Sequence, residues 1–299
     1  MIKYILIFLL LFCKNDQNEQ RMKADKIFSG VQATKPISSD SIELGKKLFF
    51  ERGLSINNRK NCADCHEVDN WGIDGLDRSV GTFGNKLDRN SPSIFYSSYK
   101  NLQSWDGRYS SLEEQSLHPI FNKAYFSVPN EKHLMDKLKK LKYDKEFKDA
   151  DIDFTYRNIG VVLAEYQRTL VSRTKWEDWI EAKIDLTKSE LNGFKLFYSL
   201  KCQSCHGGPV FGGRTFAKMG LLKHYDGDDL GRFIITGIDS DRYVFRVPIL
   251  RGISHTGPYF SDGSIKDLNE VIKIMGSYQI GKELSDEEIK DIRSFLNIL

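Results

Sequence analysis

Four cysteines of this 299-residue chain fall in two five-residue patterns, Cys62-Ala63-Asp64-Cys65-His66 and Cys202-Gln203-Ser204-Cys205-His206. Two thiols three residues apart on a tight turn can reach the two vinyl groups along one edge of a porphyrin. The histidine that follows then swings under the ring to bind the iron. The residues therefore predict two covalently attached haems c, one per pattern. Two other uses compete: a zinc site from Cys62, Cys65, Cys202 and Cys205, which leaves both histidines idle, and thioredoxin-like redox or structural disulfide pairs.

The segments that deliver these turns resemble each other. Glu43-Leu44-Gly45-Lys46-Lys47-Leu48-Phe49-Phe50 precedes the first and Leu191-Asn192-Gly193-Phe194-Lys195-Leu196-Phe197-Tyr198 the second. Each reads as an amphipathic helix carrying aromatic residues to a haem face. Asp40 or Ser41 would cap the first, and Thr187 with Glu190 forms a capping box on the second. Residues 157–174 read as a helix ending the first unit, and residues 176–188 lead into the second. Residues 131–149 look like a charged surface helix. Ser285 with Glu288, Leu284 against Ile289, and Ile292, Phe295 and Leu296 on one face mark a C-terminal helix. Strand signal is confined to pieces such as 233–236 and 243–247. The expected fold is mainly α, with two cytochrome c-like haem domains (37–182 and 183–299), long loops and few short strands.

Composition narrows the function classes. With 40% hydrophobic, 12% aromatic and 28% charged residues the chain is globular, and a formal charge of +3 without a basic run gives nucleic-acid binding no support. No apolar stretch is long enough for a polytopic membrane protein. Met1-Ile2-Lys3 and the apolar run from Tyr4 to Cys13 have the anatomy of a short export signal. Its end, Leu10-Leu11-Phe12-Cys13, resembles a lipoprotein signal with Cys13 as the lipidated residue, although Phe12 stands where a small residue is usual. Ordinary secretion and a chance apolar start are the alternatives. Either export route agrees with haem c, which is attached outside the cytoplasm, and places the protein in the periplasm. Residues 14–36 read as a mobile polar tether without chemistry.

Beyond the cysteines, the order of Arg89-Asn90-Ser91-Pro92-Ser93, Trp105-Asp106-Gly107-Arg108, Ser111-Leu112-Glu113-Glu114-Gln115, Val247-Pro248-Ile249-Leu250-Arg251, the run from Thr256 to Gly263, and Met275-Gly276 resembles the bacterial dihaem cytochrome c peroxidase family and its relative MauG. The resemblance covers residues 38 to 299. It implies that His66 serves a peroxide-reacting N-terminal haem and His206 an electron-accepting C-terminal one. Met275 matches the sixth ligand of the second haem, a soft sulfur that favours ferrous iron and raises the potential; by spacing alone it is a core residue. Asn90, with the carbonyls of Thr256 and Pro258, matches an all-oxygen calcium site, the bland alternative being a cap before a proline turn. Trp105 matches the tryptophan between the haems, although as a lone Trp it reads equally as core, and Gln115 and Pro119 match residues lining the first haem's distal pocket.

Two family positions are replaced here. Where the peroxidases carry a capping histidine this chain has Thr82, a poor ligand, so the first haem is expected to be open without prior reduction, as in MauG. Where they carry an acid–base glutamate it has Tyr125, a weak general base at neutral pH that can donate a hydrogen bond or even ligate iron. His118 either supplies the missing proton transfer, or caps the iron, or is a loop histidine on the surface. His133, His224 and His255 read as solvated or structural. Three functions compete: reduction of hydrogen peroxide with electrons from a small cytochrome c or cupredoxin; MauG-like oxidation of a partner protein or organic substrate; and a non-enzymatic electron carrier or redox sensor. Family members often dimerise, so a homodimer is a further expectation.

Overall fold

The computed structural model describes residues 16–28, 30–31 and 38–299; the export signal and Cys13 lie outside the described residues. Helices and short turns dominate. Two strands, β1 (Phe216–Lys218) and β2 (Val244–Arg246), pair antiparallel with Phe216 opposite Arg246. Hydrophobic residues gather in two cores, each holding one Cys-x-x-Cys-His turn at its edge.

The first core is built on α2 (Ser39–Phe49), α3 (Leu112–Phe121) and α6 (Tyr156–Arg168), with α4 (Glu131–Lys140) and α5 (Tyr143–Asp149) outside them. Leu44, Leu48 and Phe49 of α2 meet Ile159, Val162, Leu163 and Tyr166 of α6. Gly45 makes that crossing close, because a Cβ there would lie 1.8 Å from the Val162 carbonyl oxygen. The second core repeats the device. Gly193 of α8 (Lys188–Ser199) would place a Cβ 1.9 Å from the Asp291 carbonyl of α11 (Asp286–Leu296). The sequence duplication is thus a packing duplication, a glycine-notched helix crossing a partner helix and handing the chain to a haem turn. Both expected capping boxes are present, Thr187 with Glu190 and Ser285 with Glu288, and Leu284 and Ile289 share the second core.

Several expectations change. The segment expected to be a mobile tether is helical over residues 16–27, here α1, and docks on the second core. Gln17, Gln20, Ala24 and Phe28, one helical face, are all buried. Gln17 bonds the Leu186 carbonyl and accepts from Trp179 Nε1, while Arg21 reaches the Trp179 and Ile184 carbonyls. Phe28 stacks on Phe211 at 4.2 Å. Its polar composition disguised it, because half of its buried face is glutamine satisfied by hydrogen bonds.

The boundary between the cores falls before Trp176, not after residue 182, since Trp176 and Trp179 of α7 (Lys175–Ile180) belong to the second core. Residues 233–236 form a helical turn, α9 (Phe233–Thr236), rather than a strand. Arg232 N–H closes on the Val244 carbonyl beside β2, and the turn then ends at Gly237 with φ +66°. The helix expected over 131–149 breaks between α4 and α5 at Lys142, whose φ is +67°. The first helix is capped by Ser38, whose side chain accepts from the Ser41 amide, rather than by Asp40 or Ser41. α10 (Leu268–Met275) lies beside α11 and runs into a π-turn.

Candidate active site

Both cysteine turns adopt one local geometry despite different intervening residues. In each a 3₁₀ turn, Cys62–Asp64 or Cys202–Ser204, brings the histidine amide back to the first cysteine's carbonyl, at 3.0 Å for His66 and 2.9 Å for His206. Asn61 caps the first turn through its side chain, whereas Lys201 opens the second with φ +60°. His66 Nδ1 lies 3.1 Å from the Gly72 carbonyl and His206 Nδ1 3.3 Å from the Phe211 carbonyl. A carbonyl at Nδ1 requires the proton there, which leaves the Nε2 lone pair for a metal. Burial keeps both imidazoles neutral, lowering His66 and taking His206 down to about 4. It also pushes the Cys62 and Cys202 thiols up to about 12.

These residues fit a porphyrin at each turn. Phe197 stands 6.5 Å from the His206 ring, centroid to centroid, as the duplicated helix predicts. Gly212 keeps the proximal side clear, since a Cβ there would meet the Pro248 carbonyl at 2.2 Å and His206 Nδ1 at 3.4 Å. The Oε1 atoms of Gln115 and Gln203 are buried without a hydrogen-bond partner, a costly state that asks for a group to complete the site. Among the described residues no three His, Cys, Asp or Glu side chains gather as a metal site, so the four cysteines do not form a zinc cluster.

The distal candidates assemble around α3. Its Pro119 carbonyl accepts from the Phe126 amide, folding the 122–128 loop back on the helix. His118 therefore lies on a helix rather than in a surface loop, half-buried between Tyr109 at 4.8 Å and Tyr125 at 6.0 Å. Its Nε2 is 3.0 Å from Asn122 Nδ2. Burial, assisted by the Arg108 charge, lowers its pKa. Burial raises the Tyr125 phenol and lifts that of Tyr109 to about 12. Thr82 is buried and donates its hydroxyl to Asn57 Oδ1 at 2.5 Å, while its amide donates to the Tyr125 carbonyl. Tyr109 had no signal in the sequence beyond following Arg108, because its partner His118 is nine residues away.

Trp105 sits at the seam between segments from the two halves of the chain. Its indole N–H donates to the Asn90 carbonyl at 3.0 Å, and its own carbonyl accepts from the Arg246 amide at 2.8 Å. Beside it the fully buried Asp106 accepts from Arg89 and Arg108, and Arg89 continues to Asp229 at 2.8 Å. Asn90 also donates from its amide to the carbonyl of Ser261, three residues after Pro258, and from its side chain to that of Leu76. Met275 ends α10 one and two turns beyond Ile272 and Leu268, both buried in the second core, so it shares their face. The π-turn Gly276–Ile280 follows, clamped by the Leu222 amide on the Tyr278 carbonyl. The Met219 sulfur accepts from Gln279 Nε2 at 3.4 Å. His255 is exposed and stacks on Trp71 at 4.8 Å.

Comparison with known proteins shows the family. Residues 39–185 match the family model described as di-haem cytochrome c peroxidase. The chain is 34% identical to the cytochrome c551 peroxidase of Nitrosomonas europaea over 93% of its own length and 85% of that protein's. It is likewise 34% identical to the cytochrome c551 peroxidase of Pseudomonas aeruginosa, over 88% of its own length and 80% of the relative's. Among solved structures, a MauG-like protein associated with microbial copper homeostasis superposes with a TM-score of 0.79 at 26% identity, covering 90% of this chain and 92% of the other. With a relative this similar along nearly its whole length, the chain belongs to the di-haem cytochrome c peroxidase family.

Proposed function

We propose that this protein is a periplasmic dihaem peroxidase that reduces hydrogen peroxide to water with electrons from a small cytochrome c or cupredoxin. The observation that carries the reading is the pair of equivalent Cys–His turns with Trp105 anchored from both sides of the seam between them. Bound at these turns, two haems c would supply the redox chemistry, one receiving electrons and the other meeting peroxide. His66 and His206 would hold the two irons, and Met275 would add a thioether sulfur to the second. Trp105 offers a polarisable ring in the gap between the centres.

At the first site the protein's own work is proton handling. His118, kept neutral by burial, would take a peroxide proton at Nε2 in place of its hydrogen bond from Asn122 Nδ2, and return it to the leaving oxygen. Tyr125 stays protonated and donates a hydrogen bond, with Gln115 and Pro119 lining the same pocket. Thr82 spends its hydroxyl on Asn57, which supports an iron left open without prior reduction. Asn90 and the carbonyls of Thr256 and Pro258 would take a calcium ion at the seam. Lipidation of Cys13 would tether the protein to a membrane surface; among the described residues no helix is long and apolar enough to cross one.

The test is steady-state, peroxide-dependent oxidation of a reduced small cytochrome c by the fully ferric holoprotein, with calcium and no reductive pretreatment. Turnover at enzymatic rates is expected. A flat trace with a competent donor would reject the peroxidase reading.

A further inference from the structure

Two cations at the seam form no direct ion pair, although the Asp106 charge acts on Arg246 from a distance. Arg246 is 3% exposed, and its side chain bonds the Ser104 carbonyl through Nε at 2.9 Å. Lys100 Nζ reaches the Ser93 carbonyl at 3.3 Å and Ser97 Oγ at 3.1 Å, both neutral oxygens. Other enclosed arginines of this chain are matched: Arg89 to Asp106 at 2.7 Å, Arg108 to the same carboxylate at 2.5 Å, and Arg251 to Glu177 at 2.6 Å. Burial, with Arg246 adding like-charge repulsion, drives the Lys100 ammonium well below the usual lysine range. Burial likewise lowers Arg246 to about 10. Arg246 is buried and Lys100 half-buried, and an enclosed charge without an ion pair is costly, so two neighbouring ones point to a missing anion.

Their position says which anion. The Lys100 stem lies 3.6 Å from where a Cβ of Gly213 would stand, and the adjacent Gly212 position is 3.4 Å from His206 Nδ1. On the other side, Ser93, whose carbonyl takes Lys100 Nζ, donates its hydroxyl to the Trp71 carbonyl, next in the chain to the Gly72 carbonyl that holds His66 Nδ1. Arg246 continues from the residue pair that holds Trp105, its amide donating to the Trp105 carbonyl. The two cations thus lie between the proximal histidines, on the side of the bridging indole.

We infer that Lys100 and Arg246 form a carboxylate-binding site that the haem propionates complete. A porphyrin tied by its vinyl edge at a cysteine turn carries its two carboxylates on the opposite edge, and the seam offers cations where that edge can end. The inference rests on the dihaem reading. It adds that charge matching across the seam, not only thioether bonds, holds the cofactors in register.

The test uses the holoprotein, with two haems per chain first established by the pyridine haemochrome. A lower haem count would reject the dihaem reading itself, separately from this proposal. Lys100→Met keeps the stem and removes the charge; Lys100→Arg keeps the charge. If Lys100 pairs with a propionate, Lys100→Met lowers the melting temperature and lowers the reduction potential of at least one haem, and Lys100→Arg stays close to native. If Lys100 is an unpaired buried cation, Lys100→Met raises or leaves unchanged the melting temperature. That result, or unchanged potentials, would overturn the proposal. Titrating phosphate or chloride separates a covalently carried carboxylate from a soluble ion. A native melting temperature that rises with either anion, where that of Lys100→Met does not, would also overturn it.

Discussion

His118 and Tyr125 meet at one pocket but differ in what their surroundings let them do. A general base must be neutral, and burial followed by the Arg108 charge holds His118 below its ordinary value of 6.5. The activity it supports is therefore complete at neutral pH and is lost as pH falls through that lowered pKa. We expect His118→Gln to remove this acid limb from the pH profile of kcat/KM and to cost about 10²- to 10⁴-fold in rate. Tyr125→Phe should cost less and leave the limb in place, because burial raises the phenol and keeps its proton on. A limb that survives His118→Gln would assign it to another group. The cysteine and histidine ligands could be read from spacing, but Tyr109 and the helical setting of His118 could not. Those depend on the 122–128 loop folding back onto Pro119.

At the scale of elements, the two glycine notches are the same solution used twice. Gly45→Ala or Gly193→Ala drives a methyl into a partner helix's carbonyl, and each should destabilise the holoprotein by about 1–3 kcal/mol or more, read from denaturant unfolding. The similarity of the two helices was visible in sequence; the reason for the shared glycine needed their partners, α6 and α11. Helix α1 teaches the opposite lesson. Its glutamines suggested a solvated tether, yet Gln17 is 1% exposed and Phe28 fully buried. Phe28→Ala should cost about 3–5 kcal/mol in the same measurement, where a tether residue would cost nothing. Because the Gly208 amide donates to the Ile27 carbonyl, this helix also steadies the turn beneath His206.

For the whole molecule, the seam is held by charge as well as by Trp105. Burial opposes ionisation of Asp106 and Asp229, but hydrogen bonds from Arg108 and Arg89 outweigh it and hold both carboxyls below the usual range. Such groups stabilise the fold fully above the unfolded carboxylate pKa, about 3.9, and lose that contribution as pH falls through their folded values. Acid unfolding should therefore steepen below about pH 4. Arg89→Gln, by leaving Asp229 without its partner, should weaken the joining of the cores by about 3–5 kcal/mol at neutral pH and flatten that acid transition, as followed by calorimetry.

The sequence by itself determined the chemistry that short spacing encodes. Two thiols and an imidazole within five residues specify a haem turn wherever they fold, and the caps of α8 and α11 are equally local. Family order extended this to Trp105, Asn90 and Met275 as candidates. Tertiary structure decided what depends on residues far apart in the chain meeting. It decided that α1 and α7 join the second core, that residues 233–236 turn helical against β2, and that Lys100 and Arg246 come together at the seam without a direct ion pair. None of these leaves a periodic or local trace, because burial and charge pairing are properties of surroundings that only the folded chain creates.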